Sequence, residues 1–531
     1  PEVKSMPKIL VSDPISKEGV ELLQTQGETD VKTGLSPEEL ISIIGQYDAL
    51  VVRSETKVTA EVIAAGNKLQ VVGRAGVGVD NIDLDAATRK GISVVNAPTG
   101  NTIAAAEHTV AMMLALSRNI PQANQSLKSG EWKRSTFTGV ELRNRFLGVI
   151  GIGKVGKEVI QRAQSFQMKI LAYDPFVSAE HATLLGIELV PLDKLLEESD
   201  FICLHTPLTE STRGMIDDDK LSRVKPSVRI LNTARGELID ENALARAVDE
   251  GRVAGAAIDV FSSEPPKEDN PLLKSDRIIV TPHLGASTQE AQEEVAREVA
   301  EQIICVLEGQ SARYTVNAPI VLPESQATLS PYIEVASQAG RLATQISNGQ
   351  MSSIKLRFEG DISNYETNVL KAASVMGLLG PISDQRINLV NADFIAAERG
   401  LRITEEKGPA PEQYGNLITV EVETSDGTTI VSATHMRGGT HIVRIGEYWI
   451  DIVPTEGYML FTDHQDKPGM IGAVGTIIGK HDINIGFMEV GRLESRGRAT
   501  MILGLDDDVP EAALEEVRKL DDVYSVRIAK L

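Results

Sequence analysis

Short apolar runs alternate with longer amphipathic stretches from Lys8 to Val95: KILVSD, ALVVRS, LQVVGRAG and GISVVNAP are each bounded by polar or turn-forming residues. Runs of this kind are strands buried on both faces of a parallel sheet, and the intervening segments Ser36 to Gly45 and Ala60 to Gly66 fit helices. A longer helical run, Thr102 to Ser117, follows the turn Ala97-Pro98-Thr99-Gly100. The pattern restarts near Phe146 with LGVIGIGKVG and continues through KILAYD, FICLHTP, VRILNTA, GAAIDV and IIVTPH, the last strand being expected to end at His283. A helix over Thr288 to Leu307 is long enough to travel back to the first set of strands. These patterns predict a discontinuous first domain, residues 1–100 and 284–317, with a second α/β domain, residues 101–283, inserted in it.

Beyond Asn317-Ala318-Pro319 and Pro323, which read as a linker, the period changes. SSIKLRFEG, LITVEVET, GTTIVSATH and EYWIDIVP alternate apolar with polar positions, as half-buried strands do, and define an α+β domain over 318–457. From Tyr458 to Leu531 two strand-helix-strand units predict a βαββαβ domain, residues 458–531.

Charge narrows the partners. With 53 basic against 75 acidic residues, a net charge of -22, the chain has no general attraction for nucleic acid or an anionic membrane, though a local arginine cluster could still hold an anionic ligand. No apolar stretch reaches the length of a membrane span, and no signal peptide is evident. Cys203 and Cys305 offer neither metal-ligand spacing nor a disulfide framework, which points to a reducing compartment. The cytoplasm is the simplest location, or an organelle matrix if a leader once preceded Pro1.

Gly151-Ile152-Gly153-Lys154-Val155-Gly156 lies between the apolar strand ending at Ile150 and a plausible helix. In that setting the first glycine permits the turn, the second admits a pyrophosphate and the third lets helix and strand pack closely, while the helix N-terminus stabilises the phosphate charge. Asp174 closes the next strand, 23 positions after Gly151, where a carboxylate accepts ribose hydroxyls and repels a 2'-phosphate. NAD is therefore the expected cofactor, in preference to NADP. A second glycine cluster, Gly73, Gly76 and Gly78, has Asn81 where a third glycine would belong. It reads equally well as a backbone cradle for a small anion and as a structural turn.

Arg235, Glu264 and His283 each lie at or just beyond the exit of a predicted strand, where ligands of open parallel sheets bind. Oxidation of a secondary alcohol needs a base for the hydroxyl proton, a role suited to an imidazole whose second nitrogen is oriented by a carboxylate. A guanidinium fork matches a substrate carboxylate. Each residue alone could as well be a cap, a surface acid or a structural cation; beside the glycine loop they form a chemical set. For a further anionic group Arg53 and Arg134 are the leading candidates, with Ser54 and Ser135 as neutral donors; Arg74 and Lys133 are also available.

VVRSETKVT, VVGRAGVGVDNIDLDAATRKGI, GIGKVG, NTARGELID, GAAIDVFSSEPP and PHLGAST resemble the patterns of the D-2-hydroxyacid dehydrogenase family, and the long tail resembles its phosphoglycerate branch. The resemblance implies a Rossmann-like NAD domain inserted in a flavodoxin-like α/β substrate domain, then an α+β intervening domain and an ACT regulatory domain. It implies Arg235, Glu264 and His283 as the catalytic set. For the cofactor it adds His205, Thr206 and Pro207, with Thr233, Ala234 and Asp259, to the glycine loop. For the substrate it implies Arg53, Ser54, Gly76, Val77, Gly78, Asn101 and Arg134. The expected reaction is NAD-dependent oxidation of 3-phosphoglycerate to 3-phosphohydroxypyruvate at the head of serine biosynthesis, by a homotetramer or homodimer. L-serine is an expected effector between paired ACT domains, where His464, Asp466 and Asn484 match by spacing, although Asp466 replaces an asparagine found in one serine-inhibited relative. Before the glycine loop the chain departs from the family with Arg143-Asn144-Arg145-Phe146, a turn that asparagine can make in the left-handed region. Two alternatives stand beside this reading: a dehydrogenase for glyoxylate, hydroxypyruvate or 2-oxoglutarate, and a non-catalytic NAD-sensing interaction protein.

Overall fold

The computed structural model describes residues 6–319, 321, 323–454 and 457–531. Its first sheet is parallel throughout, in the order Glu28–Val31, Lys8–Val11, Ala49–Val52, Val71–Arg74, Ser93–Asn96. The four apolar strands were legible in the sequence; Glu28–Val31 was not, because this edge strand reads ETDV and buries none of its residues fully. Helix Gln289–Leu307, capped by the Thr288 hydroxyl accepting from Ala291 N, returns as expected and lays Val295, Val299, Ala300 and Ile303 against this sheet.

The inserted domain has a seven-stranded parallel sheet in the order Ile278–Val280, Gly255–Ile258, Arg229–Asn232, Phe201–Leu204, Phe146–Ile150, Lys169–Tyr173, Glu188–Leu189. Chain order reverses between Phe146–Ile150 and Phe201–Leu204, which opens a crevice beyond their carboxyl ends. The last strand stops at Val280, three residues short of the expected end. Pro282 has no N–H for the ladder and His283 turns to φ +54°, so His283 stands on the loop beyond the strand. Asn144 does adopt the left-handed region, with φ +63°, and hands the chain to Phe146–Ile150.

The third sheet, in the order Arg402–Gly408, Met351–Gly360, Asn416–Thr424, Gly427–Met436, Gly439–Ile445, Tyr448–Ile452, is antiparallel except at its first pair. Helices Pro323–Ile346 and Asn368–Leu379 cover one face of it. Pro323, read as part of a linker, instead opens the longer helix, where a proline lacks nothing that the first turn needs. Asn317 is no loose linker residue either: its carboxamide accepts from Val94 N and donates to Ile92 O and Thr88 Oγ1.

The C-terminal sheet runs Ile485–Arg492, Arg498–Leu505, Tyr458–Gln465, Val523–Lys530, all antiparallel, with helices Met470–Lys480 and Glu511–Arg518 in the predicted βαββαβ order. Its Met459, Phe461, Ile502 and Ala529 pack into the same core as Leu342, Ile354 and Phe358 of the preceding domain. The Gln345 side chain pairs with both the N–H and the C=O of Lys530, and Arg527 donates to Ile346 O. The tail touches the first domain through Asn388 Nδ2, which donates to Gly91 O, and through Arg89 over the Phe394 ring. Among the described residues no helix is long and apolar enough to cross a membrane.

Candidate active site

A cleft of about 720 Å³ separates the first sheet's carboxyl end from that of the inserted domain. Arg53, Ser54, Gly76, Val77, Gly78 and Asn101 line it from one side and Arg235, Glu264 and His283 from the other. His283 Nδ1 is 2.7 Å from Glu264 Oε2, and Glu264 Oε1 accepts from Phe261 N. Half-burial would raise the Glu264 carboxyl, but the imidazole beside it outweighs this and holds it below the usual carboxylate range. His283 Nε2 has no protein partner among the described residues, so the ring presents one nitrogen to the cleft and anchors the other.

Three guanidinium groups converge here: Arg53, Arg74 and Arg235. Burial, with Arg235 and Arg53 adding like-charge repulsion, pushes Arg74 down to about 10, and its Nε is enclosed without a partner. Each glycine of the Gly73, Gly76, Gly78 cluster has its own steric reason. A Cβ on Gly73 would stand 2.5 Å from Ile303 Cδ1, so that glycine admits the returning helix. Gly76, at φ +158°, and Gly78 leave room for the Arg74 and Arg235 guanidinium groups, which a Cβ would strike at 1.8 and 2.3 Å. Asp80 Oδ2 lies 3.5 Å from Arg235 Nε across the cleft.

The glycine loop fits a dinucleotide. Gly151 takes φ +95°, and a Cβ there would meet His205 and Thr206 at 2.8 and 2.9 Å; a Cβ on Gly156 would lie 2.1 Å from Gly151 O. Gly153, by contrast, faces open space, and it caps helix Lys154–Ser165 with no side chain occupying the N-terminal amides. That combination suits a pyrophosphate. Asp174 stands at the next strand exit and steadies the loop by accepting from Ile152 N, with Phe176 N on its other oxygen. Ile152 is buried in the sheet core, and Val155 packs beside it. Lys154 turns away from the loop, with its ammonium over the Tyr314 ring of the facing domain.

His205 closes the floor of the loop: its N–H bonds Ile150 O, and burial pushes its imidazole down to about 4. Pro207 O accepts from Thr212, Thr233 bonds Thr109, and Ala234 O accepts from Arg235 Nη1. Asp259 is enclosed, its carboxylate accepting from Thr281 Oγ1 at 2.6 Å, Leu284 N at 2.8 Å and Gly285 N at 3.0 Å, with His108 Nε2 at 3.1 Å. Burial would raise this carboxyl; His108, Thr281 and the Leu284 amide more than offset it.

Arg134 and Ser135 are not brought to the cleft by their own chain. They begin an exposed 3₁₀ turn, Arg134–Phe137, outside the residues lining their own chain's cleft, whereas Arg74 lies inside it. Proximity in sequence to the inserted domain does not determine which way that turn faces. Lys57, Arg213 and Gln292 also line the cleft, unforeseen. Arg74 carried the same strand-exit signal as Arg235; His108 could have been found seven residues after Asn101, on one helix face.

Residues 110–285 match the D-isomer specific 2-hydroxyacid dehydrogenase NAD binding domain, 328–446 the D-3-phosphoglycerate dehydrogenase intervening domain and 458–522 the ACT domain. The chain is 45% identical to the D-3-phosphoglycerate dehydrogenase of Synechocystis over 99% of its own length and 95% of that protein's. Identity is 44% with that of Archaeoglobus fulgidus, covering 99% of this chain and 100% of the relative. The chain belongs to the D-3-phosphoglycerate dehydrogenase family. Among solved structures, a D-lactate dehydrogenase from Aquifex aeolicus complexed with NAD and lactic acid aligns at 30% identity and TM-score 0.53, covering 59% of this chain and 99% of that one. The alignment thus spans little more than half of this D-3-phosphoglycerate dehydrogenase family member.

In this family member Asn484 does not meet His464 within one chain. Asn484 precedes the strand whose Ile485 pairs Leu505 at the Tyr458 end of the sheet, whereas His464 pairs Ala499 at the other end. Six residues of strand place them roughly 20 Å apart. Asn484 donates to Asp506, His464 is buried, and Asp466 accepts from Arg492 and from Arg496 N.

Proposed function

We propose that this chain oxidises 3-phospho-D-glycerate to 3-phosphohydroxypyruvate with NAD, the entry reaction of L-serine biosynthesis. The observation that carries this reading is one cleft holding Arg53 and Arg74 on one side and Arg235 with the His283–Glu264 pair on the other: cations for two anionic groups and a base for one hydroxyl. Arg235 binds the substrate carboxylate, while Arg53 and Arg74, with Ser54 and the Gly76–Gly78 segment, hold the phosphate. His283 Nε2 takes the hydroxyl proton, and Glu264 stabilises the imidazolium that results. In the reverse direction the same imidazolium returns the proton to the keto oxygen. NAD, bound by residues 151–156, Asp174, 205–207, Thr233 and Ala234, supplies the hydride acceptor. Asp259 supports this set from behind.

In this reading residues 1–100 with 284–317 bind substrate, 101–283 bind NAD, and 318–457 with 458–531 regulate. A homotetramer or homodimer is the working assembly, and L-serine the proposed effector. Because Asn484 lies far from His464, one effector molecule would touch both only where two ACT domains pair. The acidic chain works in the cytoplasm or an organelle matrix, as the name of a chloroplastic Arabidopsis thaliana relative suggests for plants. Initial rates with NAD or NADH and matched acid pairs test the assignment. Preference for 3-phosphoglycerate and 3-phosphohydroxypyruvate over glycerate, lactate, glyoxylate and 2-oxoglutarate is the expected result; no preference for the phosphorylated pair overturns it.

A further inference from the structure

Partly buried His108 pairs with fully buried Asp259 behind the reacting groups, and neither lines the cleft. Asp259 governs the loop that carries His283. Its carboxylate accepts from Thr281, Leu284 N and Gly285 N, and its backbone O accepts from His283 N at 2.9 Å. His283 between them sits at φ +54°, a conformation that a side-chain-bearing residue keeps only when its surroundings impose it. His108 Nε2 reaches Asp259 Oδ1 at 3.1 Å and Thr281 Oγ1 at 3.3 Å. It comes from helix Thr102–Arg118, which starts at cleft-lining Asn101, and the approach to that helix is tied to the other domain by Glu298, which accepts from Thr99 N and Gly100 N.

We propose that His108 is a positioning residue for His283, acting through Asp259; this rests on His283 being the proton acceptor. An enclosed carboxylate deprived of its cationic or N–H partner takes up a proton. Protonated Asp259 would bring an O–H donor into a shell whose other members, Thr281 Oγ1, Leu284 N and Gly285 N, are all donors to it. Leu284 N and Gly285 N can only donate, so the added proton either displaces one of them or forces the Thr281 hydroxyl to reverse, and the loop that sets the His283 ring against Glu264 relaxes. His108 prevents this by keeping Asp259 an acceptor only. It also ties the helix that begins beside the cleft to the acid–base loop.

Two amide substitutions in the full-length chain separate this role from simple packing. His108→Gln retains an N–H donor with the reach to Asp259; His108→Asn has the donor but is too short. Expected is a kcat within a few-fold of the parent for the glutamine variant and a loss of ~10- to 100-fold for the asparagine variant. For both, KM for 3-phosphoglycerate and the NADH dissociation constant from fluorescence titration should stay within about twofold. Equal kcat in the two variants overturns the proposal, whether both are active or both are impaired. So does a defect confined to KM or to NADH binding. If the unmodified chain turns over no 2-hydroxyacid at all, the reading of the active site falls and this inference with it; turnover by the parent with no Gln/Asn difference removes this inference alone.

Discussion

The His283 ring is fixed from two directions: Glu264 Oε2 holds Nδ1 at 2.7 Å, and the loop backbone holds its Cα at φ +54°. The ring therefore cannot turn to exchange its nitrogens without losing the carboxylate. Glu264→Gln keeps the volume but cannot stabilise an imidazolium, so kcat should fall by ~10-fold or more while KM for 3-phosphoglycerate changes little. Steady-state kinetics in both directions check this; an equal rise in KM with unchanged kcat would assign Glu264 to ground-state binding instead.

Arg74 should separate phosphorylated from unphosphorylated substrates. A charge-assisted hydrogen bond contributes about 1.5–3 kcal/mol, so Arg74→Ala is expected to raise KM for 3-phosphoglycerate by ~10- to 100-fold while altering glycerate turnover far less. Gly76→Ala should produce the same selective defect, because its Cβ would occupy the space of the Arg74 guanidinium. Parallel loss for both acids would place Arg74 outside the phosphate subsite.

Two glycines of one loop should fail in different ways. At Gly153 a Cβ meets nothing within 4 Å, so Gly153→Val should fold normally yet weaken NADH binding at least ~10-fold by filling the pyrophosphate's approach. At Gly156 a Cβ lies 2.1 Å from Gly151 O, so Gly156→Ala should lower the thermal midpoint as well. Thermal melting beside fluorescence titration distinguishes the two.

His205 makes stability depend on pH before any carboxylate does. Its native value is pushed down to about 4, below the ~6.5 of an unfolded chain, so between these limits the unfolded state binds a proton that the native state refuses. Its contribution, about 3 kcal/mol, is complete above pH ~6.5 and is lost as pH falls toward 4. Glu264 and Asp259, both held below the usual carboxylate range, contribute fully above that range and lose their contribution only as pH drops through their own lower values. In the cofactor-free protein, melting curves from pH 7.5 to 5 should therefore fall more steeply for the parent than for His205→Gln. Parallel slopes would refute the assignment.

What the sequence disclosed follows from how each element is buried. Strands such as Ala49–Val52 and Phe201–Leu204 lie wholly inside and appear as unbroken apolar runs, while Gly151, Arg235 and His283 mark strand exits by their residue types. Glu28–Val31 pairs only at one edge and so has no apolar run to betray it. Helix Pro323–Ile346 hid behind a proline that looked like punctuation. Arg134 and Arg74 were indistinguishable as charges; only the path of the chain puts one in the cleft and the other on an outer turn. Asn484 and His464 matched a spacing along the chain, but spacing says nothing about the two ends of a sheet.

The core shared by Leu342, Ile354, Met459, Phe461 and Ile502 makes the intervening and ACT domains, matched by two separate family patterns, single by folding. Neither half can melt without uncovering the apolar floor of the other, so they will come apart in one cooperative step. A displacement of the C-terminal sheet therefore bears directly on helix Pro323–Ile346, which shares that core.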